Sequence, residues 1–128
     1  MTEKTVVQKL LIKENQHLLL VNAPAELLPS LGLLPTGLTL VNDMETVVDT
    51  ILLFTANQAE LEKHLPGLKV RLSPKGMLWV FYYKLTSKKR GNINRDSINA
   101  YAKGLGLEGI AIISVDEDVS ALCLKLVS

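Results

Sequence analysis

Cysteine is almost absent from the chain: Cys123 is the single copy in 128 residues. One thiol excludes an intrachain disulfide and cannot assemble a thiolate metal site by itself. Only two histidines occur, His17 and His64, and neither has a cysteine or second histidine at ligand spacing, so zinc is not expected. An excess of one charge is lacking as well. With 14 basic and 13 acidic residues the net charge is +1, which leaves no global field to draw in nucleic acid or a membrane surface. No apolar run reaches the length of a membrane span, and the polar start Met1-Thr2-Glu3-Lys4-Thr5 does not read as a signal peptide. A reducing, cytoplasmic setting is the expectation.

What is present is apolar, at 48% of residues, and the length suits one domain over residues 1–128 with a single core. The organising stretch is Leu72-Ser73-Pro74-Lys75-Gly76 followed by seven large apolar or aromatic residues, Met77 to Tyr83. A strand covered on both faces has no polar side to alternate with, so this run predicts a central strand preceded by a Pro/Gly turn.

Ahead of it, Thr5 and Gln8 have capping-box spacing. Val6, Val7, Leu10 and Leu11 then share a helical face, predicting a helix over 5–12 packed at the sheet edge. Leu18-Leu19-Leu20-Val21 predicts a buried first strand stopped by Asn22-Ala23-Pro24. Pro24, Leu27, Leu28 and Leu31 share a helical face that Pro29 limits to a turn or two. Leu38 to Val41 and Thr50 to Phe54 predict two further strands, the second introduced by Asp49. The few residues between them form an unusually tight bridge across the first strand if both run parallel. Leu61, Leu65, Leu68 and Leu72 are spaced four, three and four, predicting a helix over 57–72 that Pro66-Gly67 kinks or divides. Asn94 is positioned to cap another helix, with Ile98, Tyr101, Ala102 and Leu105 facing inward. Residues 107–115 and 119–127 are close enough to pair only as an antiparallel hairpin around Asp116-Glu117-Asp118.

This layout resembles that of S-adenosylmethionine-dependent methyltransferases. Val48-Asp49-Thr50-Ile51-Leu52-Leu53 is similar to their acidic-then-apolar fourth strand, and Leu72 to Leu78 to the Lys-Pro-Gly-Gly turn before the fifth. The resemblance implies an α/β fold: a three-layer Rossmann-like sandwich of about six strands, mostly parallel, with a C-terminal antiparallel hairpin. The superfamily holds its cofactor with an acidic residue and closely spaced glycines after the first strand, whereas this chain reads Val21-Asn22-Ala23-Pro24-Ala25-Glu26 there. A Cβ on every residue and a fixed dihedral at Pro24 fill that space. Asp43 stands as an isolated match to the ribose-binding acid, and a helix, strand and helix are missing between Asp43 and Asp49. More closely, the chain resembles a small family of uncharacterised bacterial proteins with a truncated methyltransferase-like core, through Asn22-Ala23-Pro24, Ser87-Lys88 and Arg95-Asp96. That likeness implies no established activity.

Ligands of open α/β sheets sit beyond the carboxyl ends of the strands. The residues expected there form the candidate anion or ligand site: Asn22, Pro24, Lys84, Ser87, Lys88, Arg95 and Asp96. Lys84, Lys88, Lys89, Arg90 and Arg95 beside the helix start at Asn94 suit an anion. The competing reading is a solvated loop whose charges oppose aggregation. Asp116-Glu117-Asp118 lacks the glycine and distal Glu of a calcium loop and reads as a solvated turn. Cys123 reads as a buried structural thiol, Ser73 and Ser114 lack a nucleophile elbow, and no phosphate-binding glycine motif is read. Trp79, Phe81, Tyr82 and Tyr83 read as core. The expectation is a non-catalytic module with no resident cofactor or metal, binding a small anionic ligand or a protein partner. A small S-adenosylmethionine-binding enzyme is the alternative. Neither a nucleic-acid nor a membrane partner is expected, and an edge exposed by the missing elements suggests a homodimer.

Overall fold

A computed structural model of the chain describes residues 6–24, 35–41, 43 and 45–127. The elements are α1 (Val6–Lys9), β1 (His17–Val21), β2 (Thr39–Val41), β3 (Val48–Phe54), α2 (Gln58–Lys69), β4 (Leu72–Tyr83), α3 (Arg95–Gly104), β5 (Leu107–Ser114) and β6 (Val119–Leu126). The six strands form one sheet in the order β2-β1-β3-β4-β6-β5. β1 runs parallel to β2 and to β3, and β3 parallel to β4. β6 is antiparallel to both β4 and β5. The mostly parallel, Rossmann-like sheet and its terminal hairpin are therefore as the sequence implies.

β4 is central and its side chains feed both faces. Leu78, Val80 and Tyr82 join Leu61, Leu65 and Ile98 on the side covered by α2 and α3. Trp79 and Phe81 join Val7, Leu10 and Ile12 on the other. Full burial of such side chains contributes roughly 1.5–3 kcal/mol each, which is why the run carries no polar alternation.

Local chemistry adjusts several expectations. The first helix is short, because Leu11 takes a left-handed φ of 60° and turns out to 50% exposure. It lies on the face of the sheet rather than at its edge, since Trp79 Nε1 donates to the Leu10 carbonyl at 3.0 Å. Thr5, and the helix expected over 24–31 beyond Pro24, lie outside the described residues. Asp49 falls inside β3 rather than ahead of it. The turn expected at 73–76 is a bulge within β4: Val48 pairs with Leu72 but Thr50 with Met77. Gly76 is needed there, because a Cβ would lie 2.7 Å from the Asp49 carbonyl oxygen. Leu72, assigned from the sequence to the helical face, opens β4 instead, yet is buried as expected. Pro66 is accommodated inside an undivided α2. The Glu62 carbonyl, whose i+4 donor Pro66 removes, receives a long 3.5 Å contact from the Tyr101 hydroxyl instead.

The tight bridge also stands. β2 and β3 flank β1, and the described residues between Val41 and Val48 form no helix or strand. So short a link suffices because β2 lies low on the sheet. Val41 is level with Leu19, which is level with Ile51, so the chain steps back only to Val48 while crossing β1. That path is two strand spacings wide, about 10 Å, and about 10 Å back along the strands.

Candidate functional site

At the C-terminal end of β1, Asn22 adopts a left-handed φ of 55°. Asparagine tolerates this region better than other non-glycine residues, so the turn adopts a left-handed conformation without glycine. Its side-chain nitrogen donates to the Phe54 carbonyl at 2.9 Å. The amide thereby ties the end of β1 to the end of β3, the place where chain order reverses. Pro24 is half-buried beside it.

The neighbouring end of β3 is equally committed. Thr55 is fully buried and donates both its N–H and its hydroxyl to the Phe81 carbonyl, at 2.8 and 3.0 Å. Asn57 caps α2 by accepting from Glu60 N, while the Glu60 carboxylate accepts from Ala56 N. Asn92 reaches over from the loop after β4 to accept from Gln58 N at 2.8 Å. Gly91 presses so closely on this turn that a Cβ would lie 2.1 Å from the Ala56 carbonyl oxygen.

Asp43 points elsewhere. It accepts from the backbone N–H groups of Glu45 and Thr46 and from the Thr46 hydroxyl, and pairs with Arg71 at 3.2 Å. Those bonds hold its carboxyl down at about 2, the Thr46 hydroxyl contributing most. Arg71 immediately precedes β4 and also donates to the Thr46 carbonyl. Asp43 is thus part of the brace for the tight bridge at the amino edge of the strands, opposite the rim where a ribose would lie.

A cleft of about 400 Å³ opens instead at the end of β4, on the face that α3 covers. Its floor is Tyr82, Ser120 and Ile112, from β4, β6 and β5, and Lys84 and Arg95 stand on its walls. The loop 84–94 that frames it is bonded throughout. Lys84 N donates to the Asp118 carbonyl, Ser87 N to that of Lys84, and Arg90 N to that of Ser87. Arg90 Nη1 donates to the Leu85 carbonyl at 2.9 Å. The helix beyond begins with a capping box, Asn94 accepting from Ser97 N and Ser97 Oγ accepting from Asn94 N. Sequence reasoning found the cap but not the reciprocal partner, whose serine differs from the Glu or Gln usual there.

Of the seven residues singled out from the sequence, Lys84, Arg95 and Asp96 line this cleft. Asn22 and Pro24 sit two strands away, about 10 Å across the sheet. Ser87 is buried, and its hydroxyl accepts from Lys89 N to shape the loop. Lys88 is exposed and does not line the cleft. Tyr82, read as core, is 5% exposed and still lines the cleft. Burial pushes its hydroxyl above the ordinary tyrosine value, with Arg95 and the Ser120 hydroxyl pulling the other way. No signal in the sequence separates Tyr82 from its neighbours, because all of them belong to one apolar run.

Other candidates resolve into structure. Asp116 Oδ1 accepts from Asp118 N and Val119 N to close the hairpin. No cluster of three metal-ligating side chains occurs among the described residues, and among them no helix is long and apolar enough to cross a membrane. Cys123 is buried, which pushes its thiol up to about 12. Contrary to the expectation of no phosphate-binding glycine motif, Gly104, Gly106 and Gly109 do have the spacing of a dinucleotide-binding motif. They run from helix α3 into strand β5, the reverse of the strand-to-helix order that motif needs.

The fold itself has clear counterparts. The ribosomal protein L11 methylase of Lactobacillus delbrueckii subsp. bulgaricus superposes with a TM-score of 0.62 at 11% identity, over 95% of this chain and 75% of that one. A TehB-like SAM-dependent methyltransferase from Corynebacterium glutamicum gives 0.62 at 13%, over 94% and 85%. The DhpI-SAH complex gives 0.65 at 8%, over 95% and 83%. The chain has the fold of S-adenosylmethionine-dependent methyltransferases. No protein-family model matches it, and no curated protein does. Its described residues do not fit the cofactor as the superfamily holds it: the turn after β1 carries Asn22, Ala23 and Pro24 with the Asn22 amide engaged on β3, and Asp43 is engaged at the opposite edge.

Proposed function

We propose that the chain is a non-catalytic binding module that holds a small anion or nucleotide at the C-terminal edge of its sheet, in the cleft beside β4 and β6. The observation that carries this reading is unspent donor capacity. Among the described residues, Lys84 Nζ, with three N–H donors, bonds one acceptor, Ser114 Oγ at 2.6 Å. Arg95, with five, has its Nε in an ion pair with Asp96 at 3.5 Å and no other partner among them. Two cations sharing a concave, well-bonded surface with most donors left to solvent suit an acceptor-rich ligand.

A second reading is a small S-adenosylmethionine-binding enzyme. The fold of its structural neighbours favours it, as does the left-handed turn at Asn22, which provides part of what glycine provides elsewhere. The commitment of Asn22 and Asp43 to internal bonds weighs against it.

Thermal unfolding of the full chain with S-adenosylmethionine, AMP and sulfate separates the readings, because a ligand of the native state raises apparent stability by about 2.7 kcal/mol at one hundred times its Kd. The module reading expects stabilisation by sulfate or AMP that the double substitution Lys84→Met and Arg95→Met abolishes. Stabilisation by S-adenosylmethionine alone, insensitive to that double substitution, overturns the module reading in favour of an S-adenosylmethionine binder.

A further inference from the structure

The same cleft carries enough detail to name a ligand class, and this step rests on the binding-module reading above. Three charged residues line it: Lys84, Arg95 and Asp96. Two positive charges and one negative leave a net charge of one positive. A phosphate monoester carries about −1.5 to −2 at neutral pH and over-compensates that charge, so among the small anions the cleft can hold a monocarboxylate is the better match. The carboxylate geometry also matches the Arg95 fork, whose two terminal nitrogens have no bond among the described residues, and a planar guanidinium recognises a planar carboxylate in bidentate fashion.

Beside the polar Thr86, Asn94 and Ser120, the lining includes exposed apolar side chains. Ile112, on the floor, is 45% exposed, and Leu85, on the rim, is 60% exposed. Both face the concave surface that the nearly buried Tyr82 also lines. A site for a bare inorganic ion has no use for two exposed hydrocarbon groups beside its cations. A ligand with a hydrocarbon body covers them and gains roughly 25 cal/mol for each Å² of apolar surface removed from water. The volume, about 400 Å³, lies at the small end of the range of roughly 300–1,000 Å³ found for small-molecule pockets.

From these observations we infer that the cleft takes a small organic monocarboxylate, its carboxylate held by Lys84 and Arg95 and its hydrocarbon body laid on Ile112 and Leu85. Lys84, at the start of the hydrogen-bonded loop 84–94, and Arg95, at the start of the capped helix α3, are both set by local bonds before the ligand arrives, so little ordering cost falls on binding.

The test is a titration of the isotopically labelled full chain, followed by amide chemical shifts, with phenylacetate, with its uncharged analogue phenylacetamide, and with inorganic phosphate. Saturable shifts at Tyr82, Lys84, Arg95 and Ile112 are expected with phenylacetate and not with phenylacetamide. Arg95→Met, at an exposed position, is expected to weaken phenylacetate about tenfold, the scale of one charge-assisted hydrogen bond. Ile112→Asn is expected to weaken phenylacetate and leave any response to phosphate unchanged. Phosphate moving these residues while phenylacetate does not overturns the monocarboxylate class and leaves the anion-binding reading standing. Equal binding of phenylacetamide, or unchanged phenylacetate affinity in Arg95→Met and Lys84→Met, overturns the roles assigned to the cations. Silence from all three probes at saturating concentration removes the class and the underlying reading together.

Discussion

The carboxyl rim of the sheet is finished in two different ways. Where β1 and β3 end, polar groups are spent on one another: Asn22 on Phe54, Thr55 on Phe81, Glu60 on Ala56, Asn92 on Gln58. Where β4 ends, the backbone is just as well bonded, but Lys84 and Arg95 keep most of their donors and Ile112 and Leu85 stay uncovered. A methyltransferase-like sheet places its ligand crevice at the first of these ends, where strand order reverses. Here that end is a joint, and the second is the end proposed to bind. A shared fold fixes where a ligand can reach the sheet; which end is used depends on which side chains are left without internal partners.

The two ends meet at Gly91, and its substitution is the most damaging way to break the comparison. Gly91→Ala drives a Cβ to 2.1 Å from the Ala56 carbonyl oxygen, so the loop lifts from the start of α2. Overpacking of this kind costs about 1–3 kcal/mol. Denaturant melts are expected to show that loss, with ligand binding at the cleft weakened in parallel.

Asn22→Ala acts on the joint alone. It removes the hydrogen bond to Phe54 and leaves a residue less tolerant of φ 55°, for an expected loss of about 1–2 kcal/mol. Asn22→Gly keeps the conformation and loses only the bond, so it is expected to cost less. Neither is expected to change affinity at the cleft, which lies two strands away.

A pH series addresses the brace at the opposite edge. The Asp43 carboxyl sits at about 2 against an ordinary 3.8. Its contribution to stability is therefore complete above the ordinary value and is lost as pH falls from about 4 toward 2. Asp43→Asn is expected to flatten that limb of the stability curve and to leave the region above pH 5 with the same slope as the parent chain. The smallest effect on stability is expected from Arg95→Met. An exposed pair with its sequence neighbour is worth little, so the unfolding midpoint is expected to hold while ligand binding falls.

Much of the fold was legible because its signals are local and repeated. The seven apolar residues of β4, the leucine spacing of α2 and the short acidic hairpin each specify an element without reference to the rest. Positions governed by backbone geometry were less legible. Nothing in Leu10-Leu11 announces a left-handed residue, and Ser73-Pro74-Lys75-Gly76 has a turn's composition whether it ends a helix or bulges within a strand. The site was legible in part. Basic residues after the central strand were visible, but their fates depend on contacts made across the sheet: Arg90 turns onto its own loop, whereas Lys84, bonded to Ser114 of β5, and Arg95 line the cleft. Asp43 misled because sequence position placed it after a strand, while Arg71, 28 residues later, holds it at the other edge.

The central claim is that the joint at β1 and β3 is closed to a cofactor and the cleft at β4 and β6 is the binding end. Amide chemical-shift mapping of the labelled chain with S-adenosylmethionine tests it most directly. The account predicts no saturable shift at Asn22, Ala23 or Thr55. Saturable shifts at those three residues, with Lys84 and Arg95 unmoved, would contradict it.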